Sequence, residues 1–169
     1  MEVFEAVRTV LAVRHYADRE VPADARRRVL EAGRSSGSSI NLQPWHFVLV
    51  EERAILARLG TIMQSGSYIA DASFAIVVLV ETDSPYAVSD ASRAIQNMIL
   101  TGWADGISSN WVGFGPMPTV EALLGVPNTF EGLAVVPFGY SATKLGRGKK
   151  DRKPLAQIAS RERFGTPFA

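Results

Sequence analysis

An α+β or α/β sandwich, with helices covering a small sheet, is the fold class that this sequence predicts. Three observations predict it. Segments with helical and strand-like periodicity follow one another in the order α α β α β α β α β. The run from Ser73 to Val80 is almost continuously apolar, as a strand buried on both faces requires. A chain of 169 residues, 47% hydrophobic and 21% charged, has the make-up of one ordinary globular domain.

Each element has its own warrant. Val3, Ala6, Val7, Val10 and Leu11 recur at helical spacing and predict a first helix over residues 2–13. Pro22 is well placed to start a second, over 22–35, with Ala25, Val29 and Ala32 on one face. A strand over 46–51 precedes a helix over 52–63, on which Ile55, Leu56, Leu59 and Met63 are in register. The apolar strand of 73–80 follows. Asp90 to Asp105 reads as a long helix closed by Gly106 in a left-handed capping position. Residues 108–114 read as a strand. Thr119 can cap a short helix over 120–124, ended by Gly125 and Pro127. Residues 131–138 form the last predicted strand.

Composition excludes several chemistries. The chain has no cysteine, and so no disulfide, thiolate nucleophile or cysteine-bound metal site. Its net charge of +1 provides no global field for nucleic acid or an anionic membrane. The opening MEVFEAVRTVL is amphipathic and carries two acids, unlike a signal peptide, and no apolar run approaches the ~20 residues of a membrane span. The expectation is a soluble, cytoplasmic protein that binds neither nucleic acid nor membrane. Neither His15 nor His46 has a partner at metal-ligand spacing, so no metal site is expected. GFGPMP and GRGKK lack the spacing and context of a dinucleotide fingerprint, and no nucleophile elbow is present.

The most informative segment is RSSGSSINLQPWHF, residues 34–47. Small polar residues let a ligand approach the backbone, and Asn41 and Gln43 carry paired donors and acceptors. It reads either as a loop that hydrogen-bonds something flat and rich in heteroatoms, or as a plain Ser/Gly turn feeding a strand. A tail of 29 residues from Ser141 holds 8 Lys or Arg and ends in FGTPFA. Such a tail is disordered or lies on something else. Six of its cations fall between Lys144 and Lys153.

GSSINLQPWHFVLV resembles the A-P-S-x-x-N-x-Q-P-W-x-F segment of the nitroreductase family of flavoproteins. In family order, VRHYADREVP is similar to its S-x-R-x-F/Y stretch and V-P helix start. SRAIQNMILTGWADGISSNWVG resembles its long helix and following strand, VEALLGVPNTFEGLAVVPFGY its L-L-G-I-P … V-P-L-G-Y run, and KKDRKPLAQI its closing R-x-P-L motif. Together these pieces span residues 7 to 158. The resemblance implies an α+β fold with a central mixed, mainly antiparallel sheet. It implies a core over residues 1–140 and, within the same domain, an extension over 141–169 exchanged with the partner subunit of a homodimer, with Phe164 and Phe168 as anchors.

It also implies FMN as cofactor and assigns site residues, none of them catalytic in its own right. Arg14, which the residues alone would leave as a surface arginine, would lie beside the pyrimidine edge of the flavin and stabilise charge on reduction. Ser38, Ser39 and Asn41 match the loop under the pyrimidine and ribityl portion, with Gln43 near them. Trp111, Gly113 and Gly115 match the strand and loop that approach N5, although Trp111 also reads as core. Ser65 falls near a polar contact to the flavin, and Tyr68 and Tyr86 are candidate substrate-facing rings. Lys150 and Arg152 match the basic phosphate-binding pair. The sequence departs from the family at Val10 and Ala12, where an Arg and a Ser usually grip the phosphate. Arg8 is no obvious substitute, because two residues along a helix turn a side chain by about 200°, so that it faces away from position 10.

The function so implied is transfer of hydride from NAD(P)H to FMN and of electrons onward to an electrophilic acceptor such as a nitroaromatic or a quinone. The segment between Val80 and Asp90 is short, so an open site is expected. The alternatives are a flavin-binding carrier or regulatory protein without turnover, and an enzyme that uses another flavin or a deazaflavin.

Overall fold

A computed structural model describes residues 1–146 and 150–168. Arg147 and Lys149 of the basic run lie outside the described residues, as does the last residue of the tail. Among those described, the α-helices are α1 (Val3–Thr9), α2 (Ala23–Arg34), α3 (Arg53–Ile62), α4 (Ala87–Ala104) and α5 (Pro118–Leu124). The strands are β1 (Trp45–Val50), β2 (Phe74–Glu81), β3 (Ser108–Ser109) and β4 (Phe130–Gly139). They form one sheet in the order β1-β2-β4-β3 with every neighbouring pair antiparallel. One parallel bridge, Ala12 to Ser109, adds the segment after α1 to its edge. The architecture is α+β.

Strand β2 alternates between two cores, as the period of two requires. Phe74, Ile76, Val78 and Val80 of β2 pack with Ala91, Ile95 and Met98 of α4. Ala75, Val77 and Leu79 pack with Leu56 and Leu59 of α3 and Val120 of α5. Burial on both faces explains why β2 reads as an unbroken apolar run. No helix among the described residues is long and apolar enough to cross a membrane.

Gly106 and Gly125 close α4 and α5 at φ of +78° and +67°, as predicted. Four elements differ from the expectation. Helix α4 begins at Ala87, three residues before the expected start at Asp90. Helix α5 starts at Pro118 with Met117 before it, not at a Thr119 cap, and the Glu121 carboxylate accepts the Met117 N–H at 2.8 Å instead. Helix α1 ends at Thr9 rather than residue 13. The chain turns extended at Val10, and the Val13 N–H donates to Ser109 O at 2.9 Å, so sheet pairing outcompetes another turn of helix.

The strand expected over 108–114 is broken after Ser109. Its register with β4 is nevertheless kept, since Ser109 pairs Phe138 and Val112 bridges Val135. Val112 and Val135 exchange two hydrogen bonds, of 3.0 and 2.9 Å. The next such exchange along an antiparallel ladder falls two residues on, at Asn110 and Pro137. Pro137 has no N–H to give, so the ladder opens there. The Tyr16 hydroxyl lies 3.2 Å from the Pro137 carbonyl and 3.0 Å from that of Val13.

Candidate active site

A cavity of about 800 Å³ forms where the end of α1, the extended segment after it, α4, the broken strand at Asn110 and the tail converge. Arg8, Lys150 and Arg152 give it a cationic wall, and Val10, Ile99 and Trp111 an apolar one. No carboxylate lines it among the described residues.

The cationic wall follows from the early end of α1. Once the helix stops at Thr9, the Val7 carbonyl has no partner further along the helix, and Lys150 Nζ donates to it at 2.7 Å. Burial, and then the neighbouring Arg152 guanidinium, hold the Lys150 pKa below the ordinary lysine value. Arg152 donates through Nη1 to Asp151 O at 2.8 Å. Arg8 forks onto the Glu5 carboxylate, with Nη2 2.9 and 2.8 Å from its two oxygens. The expectation that Arg8 faces away from Val10 is therefore wrong. With α1 ended at Thr9, Arg8, Val10 and Ala12 all line one cavity. The β-branched pair Thr9-Val10 was the available sign of an early helix end.

On the other wall, the Trp111 indole N–H donates to Gly113 O at 2.7 Å, and its ring stacks on Phe114 at 5.8 Å. Trp111 thus lines the cavity and packs against the core at once. Gly113 lies at φ +87°, where a Cβ would come 2.9 Å from Met63 Cε. Gly115 directs its N–H to Leu133 O at 3.2 Å, so this N–H is engaged within the fold rather than open toward a ligand. The Asn110 side chain donates to the Tyr68 hydroxyl.

The loop over residues 38–43 is built differently. Ile40, Asn41 and Gln43 all have positive φ, of 45°, 61° and 54°, without being glycine. Asp90 holds this conformation. It is 0% exposed, and its two carboxylate oxygens accept the Ser39 N–H at 2.8 Å and the Ser39 hydroxyl at 3.2 Å. Arg93 pairs with the same carboxylate. Ser38 Oγ accepts the Gln43 N–H at 3.0 Å, and the Gln43 side chain donates back to Asn41 O at 3.3 Å. Sequence reasoning used Asp90 only as a helix start. Its signal was an acid on the same helical face as Ala87, Ala91, Ala94 and Met98, all buried.

The profile of the nitroreductase family matches residues 8–78 and 66–140. The chain belongs to the nitroreductase family. A Methanothermobacter thermautotrophicus protein named "Putative NADH dehydrogenase/NAD(P)H nitroreductase" is 30% identical over 154 residues, 86% of this chain and 81% of that protein. An Archaeoglobus fulgidus protein of the same name is 32% identical over 148 residues, 82% of this chain and 85% of that protein. Among solved structures, an FMN-dependent nitroreductase from Clostridium difficile superposes with a TM-score of 0.87 at 21% identity, over 95% of this chain and 99% of that one. An NADPH:FMN oxidoreductase from Vibrio harveyi, solved with NAD+, gives 0.85 at 18%, over 96% and 77%. At those identities the likeness is one of fold.

Of the residues that the nitroreductase resemblance singles out, Trp111, Lys150 and Arg152 meet at the cavity. Ser38, Ser39, Asn41 and Gln43 form the separate loop, and Gly113 and Gly115 follow Trp111. Arg14 is exposed on the extended segment, between the bridges made by Ala12 and Tyr16. Ser65 is exposed in the turn after α3, and Tyr86 is exposed just before α4. His46 packs edge-on against Phe130 at 5.9 Å, a structural role. Arg8 and Asp90 are the residues that sequence reasoning missed.

Proposed function

We propose that this chain is an FMN-dependent NAD(P)H oxidoreductase that passes electrons to a small electrophilic acceptor such as a nitroaromatic or a quinone. One observation carries the reading: a cavity with three cations on one wall, an indole and aliphatic side chains on another, and no lining carboxylate among the described residues. That donor set suits a phosphorylated, flat, aromatic ligand. The names of the Clostridium difficile and Vibrio harveyi proteins support FMN and a nicotinamide donor.

Bound FMN would supply the hydride and electron chemistry through its own ring. The chain binds and orients. Lys150 and Arg152 hold the phosphate; Lys150, already tied to Val7 O, loses little freedom in doing so. Trp111, Val10 and Ile99 receive the ring and exclude water from one side of it. The loop at 38–43 offers hydrogen bonds in a fixed conformation to the polar edge, and Arg14 a cation.

The reading includes a homodimer. Within one chain the loop, Arg14 and Ser65 lie off the cavity lining, so a second copy is the means by which they join one site. Ile40 at 84%, Phe114 at 89% and the tail's Phe164 are apolar side chains exposed in the single chain, and they support a covered surface.

Anaerobic titration of the purified protein tests the function. Flavin absorbance, bleached by NADH or NADPH and restored by a quinone, is the expected result. Bound flavin that neither nucleotide bleaches would make the protein a carrier. Failure to bind FMN at all would overturn the reading.

A further inference from the structure

The cationic wall holds one side chain that neither the family pattern nor the proposed function uses. Lys150 is fastened to Val7 O, and Arg8 is the next residue along, so the end of α1 and the tail present their cations to one cavity. Lys150 and Arg152 have no carboxylate partner there among the described residues. Arg8 has one, Glu5, one turn back on its own helix. Both side chains of this pair are more than a third exposed, at 48% and 39%. An exposed i,i+3 pair of that kind shifts an equilibrium by about fivefold at most. A phosphate monoester flanked by Lys150 and Arg152 would offer the same fork more negative charge than one carboxylate does, and forked charge-assisted bonds to phosphate are among the strongest polar contacts.

We propose that Arg8 leaves Glu5 to become the third ligand of a phosphate monoester held by Lys150 and Arg152, and that Glu5, as the competing anion, sets how strongly the site prefers FMN to riboflavin. For the identity of the ring this rests on the flavin reading above; for the anion it rests on the three cations alone. Arg8 thereby takes the place left open by Val10 and Ala12, from two residues before Val10. The early end of α1 makes that possible, since it puts Arg8 and Val10 on one cavity.

The full-length protein, its variants, FMN and riboflavin decide the matter by fluorescence titration. Arg8→Ala weakens FMN by about tenfold or more, the loss expected of a charged hydrogen-bond partner, and leaves riboflavin unchanged. Arg8→Lys recovers part of the loss. Glu5→Gln tightens FMN by about two- to fivefold, again with riboflavin unchanged. Equal losses for both flavins in Arg8→Ala, or no loss for either, would overturn the proposal. So would weaker FMN binding in Glu5→Gln, because Glu5 would then be placing Arg8 rather than competing for it. If the parent binds neither flavin, the flavin reading fails by itself, and inorganic phosphate becomes the probe. A rise in the parent's melting temperature with phosphate that Arg8→Ala abolishes would still support the three-cation site. No such rise would overturn it.

Discussion

The loop at 38–43 and the wall of the cavity both present polar groups, and they do so by opposite means. The loop is one contiguous stretch with three non-glycine residues at positive φ, held by the buried carboxylate of Asp90. The wall is gathered from α1, α4, the segment around Trp111 and the tail. Where it needs a positive φ it uses glycine, and its lysine uses a carbonyl that a helix end had left over. One region carries conformational strain and an anchor to oppose it; the other is relaxed and depends on tertiary placement. Strain of this kind persists only where its surroundings over-determine it.

The sharpest way to break the comparison is to remove the anchor. Asp90→Ala leaves the Ser39 N–H without its acceptor and frees the loop, at a cost of about 2–4 kcal/mol in urea denaturation. Asp90→Asn, which keeps one acceptor, should cost less. Since the loop would then lose its shape, both FMN and riboflavin should bind Asp90→Ala more weakly. A variant as stable as the parent would show that the loop holds itself.

A strain introduced on the other side should cost less. Gly113→Ala places a Cβ at φ +87° and 2.9 Å from a flexible methionine tip, which can yield, so the backbone term dominates at about 1–2 kcal/mol. Equal stability would mean that the wall does not need its glycine.

Tyr16 tests the extended segment that borders the cavity. Burial, and then Tyr68, push its pKa above the ordinary 10.0. The folded state thus favours the neutral phenol more than the unfolded state does. That stability is complete well below pH 10 and drains away as pH rises above it, by about 1.4 kcal/mol at pH 11. Tyr16→Phe cannot ionise and should lose this alkaline slope, measured as urea midpoints at pH 8 and pH 11. A slope unchanged in the variant would show that Tyr16 contributes none of it.

The smallest effect sharpens the comparison most. Ile40→Gly relieves a β-branched residue at φ +45° whose side chain is almost fully exposed, and should stabilise the dilute chain by about 0.5 kcal/mol despite the entropy of glycine. If it destabilises instead, and does so more at high protein concentration, the Ile40 side chain is covered by a second copy.

What the sequence made legible follows the same division. The loop lies within a few residues, so Ser38, Ser39, Asn41 and Gln43 could be read as a unit. So could β2, whose burial on both faces writes itself as an apolar run, and the glycine ends of α4 and α5. The cavity wall was only half legible. Lys150 and Arg152 were visible as a motif, but Arg8 was hidden by the length of α1. Apolar periodicity continues through Val10 and Leu11, and the competing pull of Ser109 on Val13 comes from almost a hundred residues away. Asp90 was hidden for a related reason: its partner, Ser39, lies 51 residues earlier. The break in the strand after Ser109 could have been found only by knowing that Pro137 would face Asn110.

The missing hydrogen on the Pro137 nitrogen also bears on how this protein avoids its own kind. β3 is the last strand of the sheet, and an edge strand displays a row of free amides and carbonyls on which another chain can template itself. Cut to two residues, β3 offers almost no such row, and the Val13 amide takes up the Ser109 carbonyl. One imino acid in β4 therefore does two things. It leaves Asn110 and Trp111 free to border a cavity, and it blunts that edge of the sheet against open-ended β-aggregation.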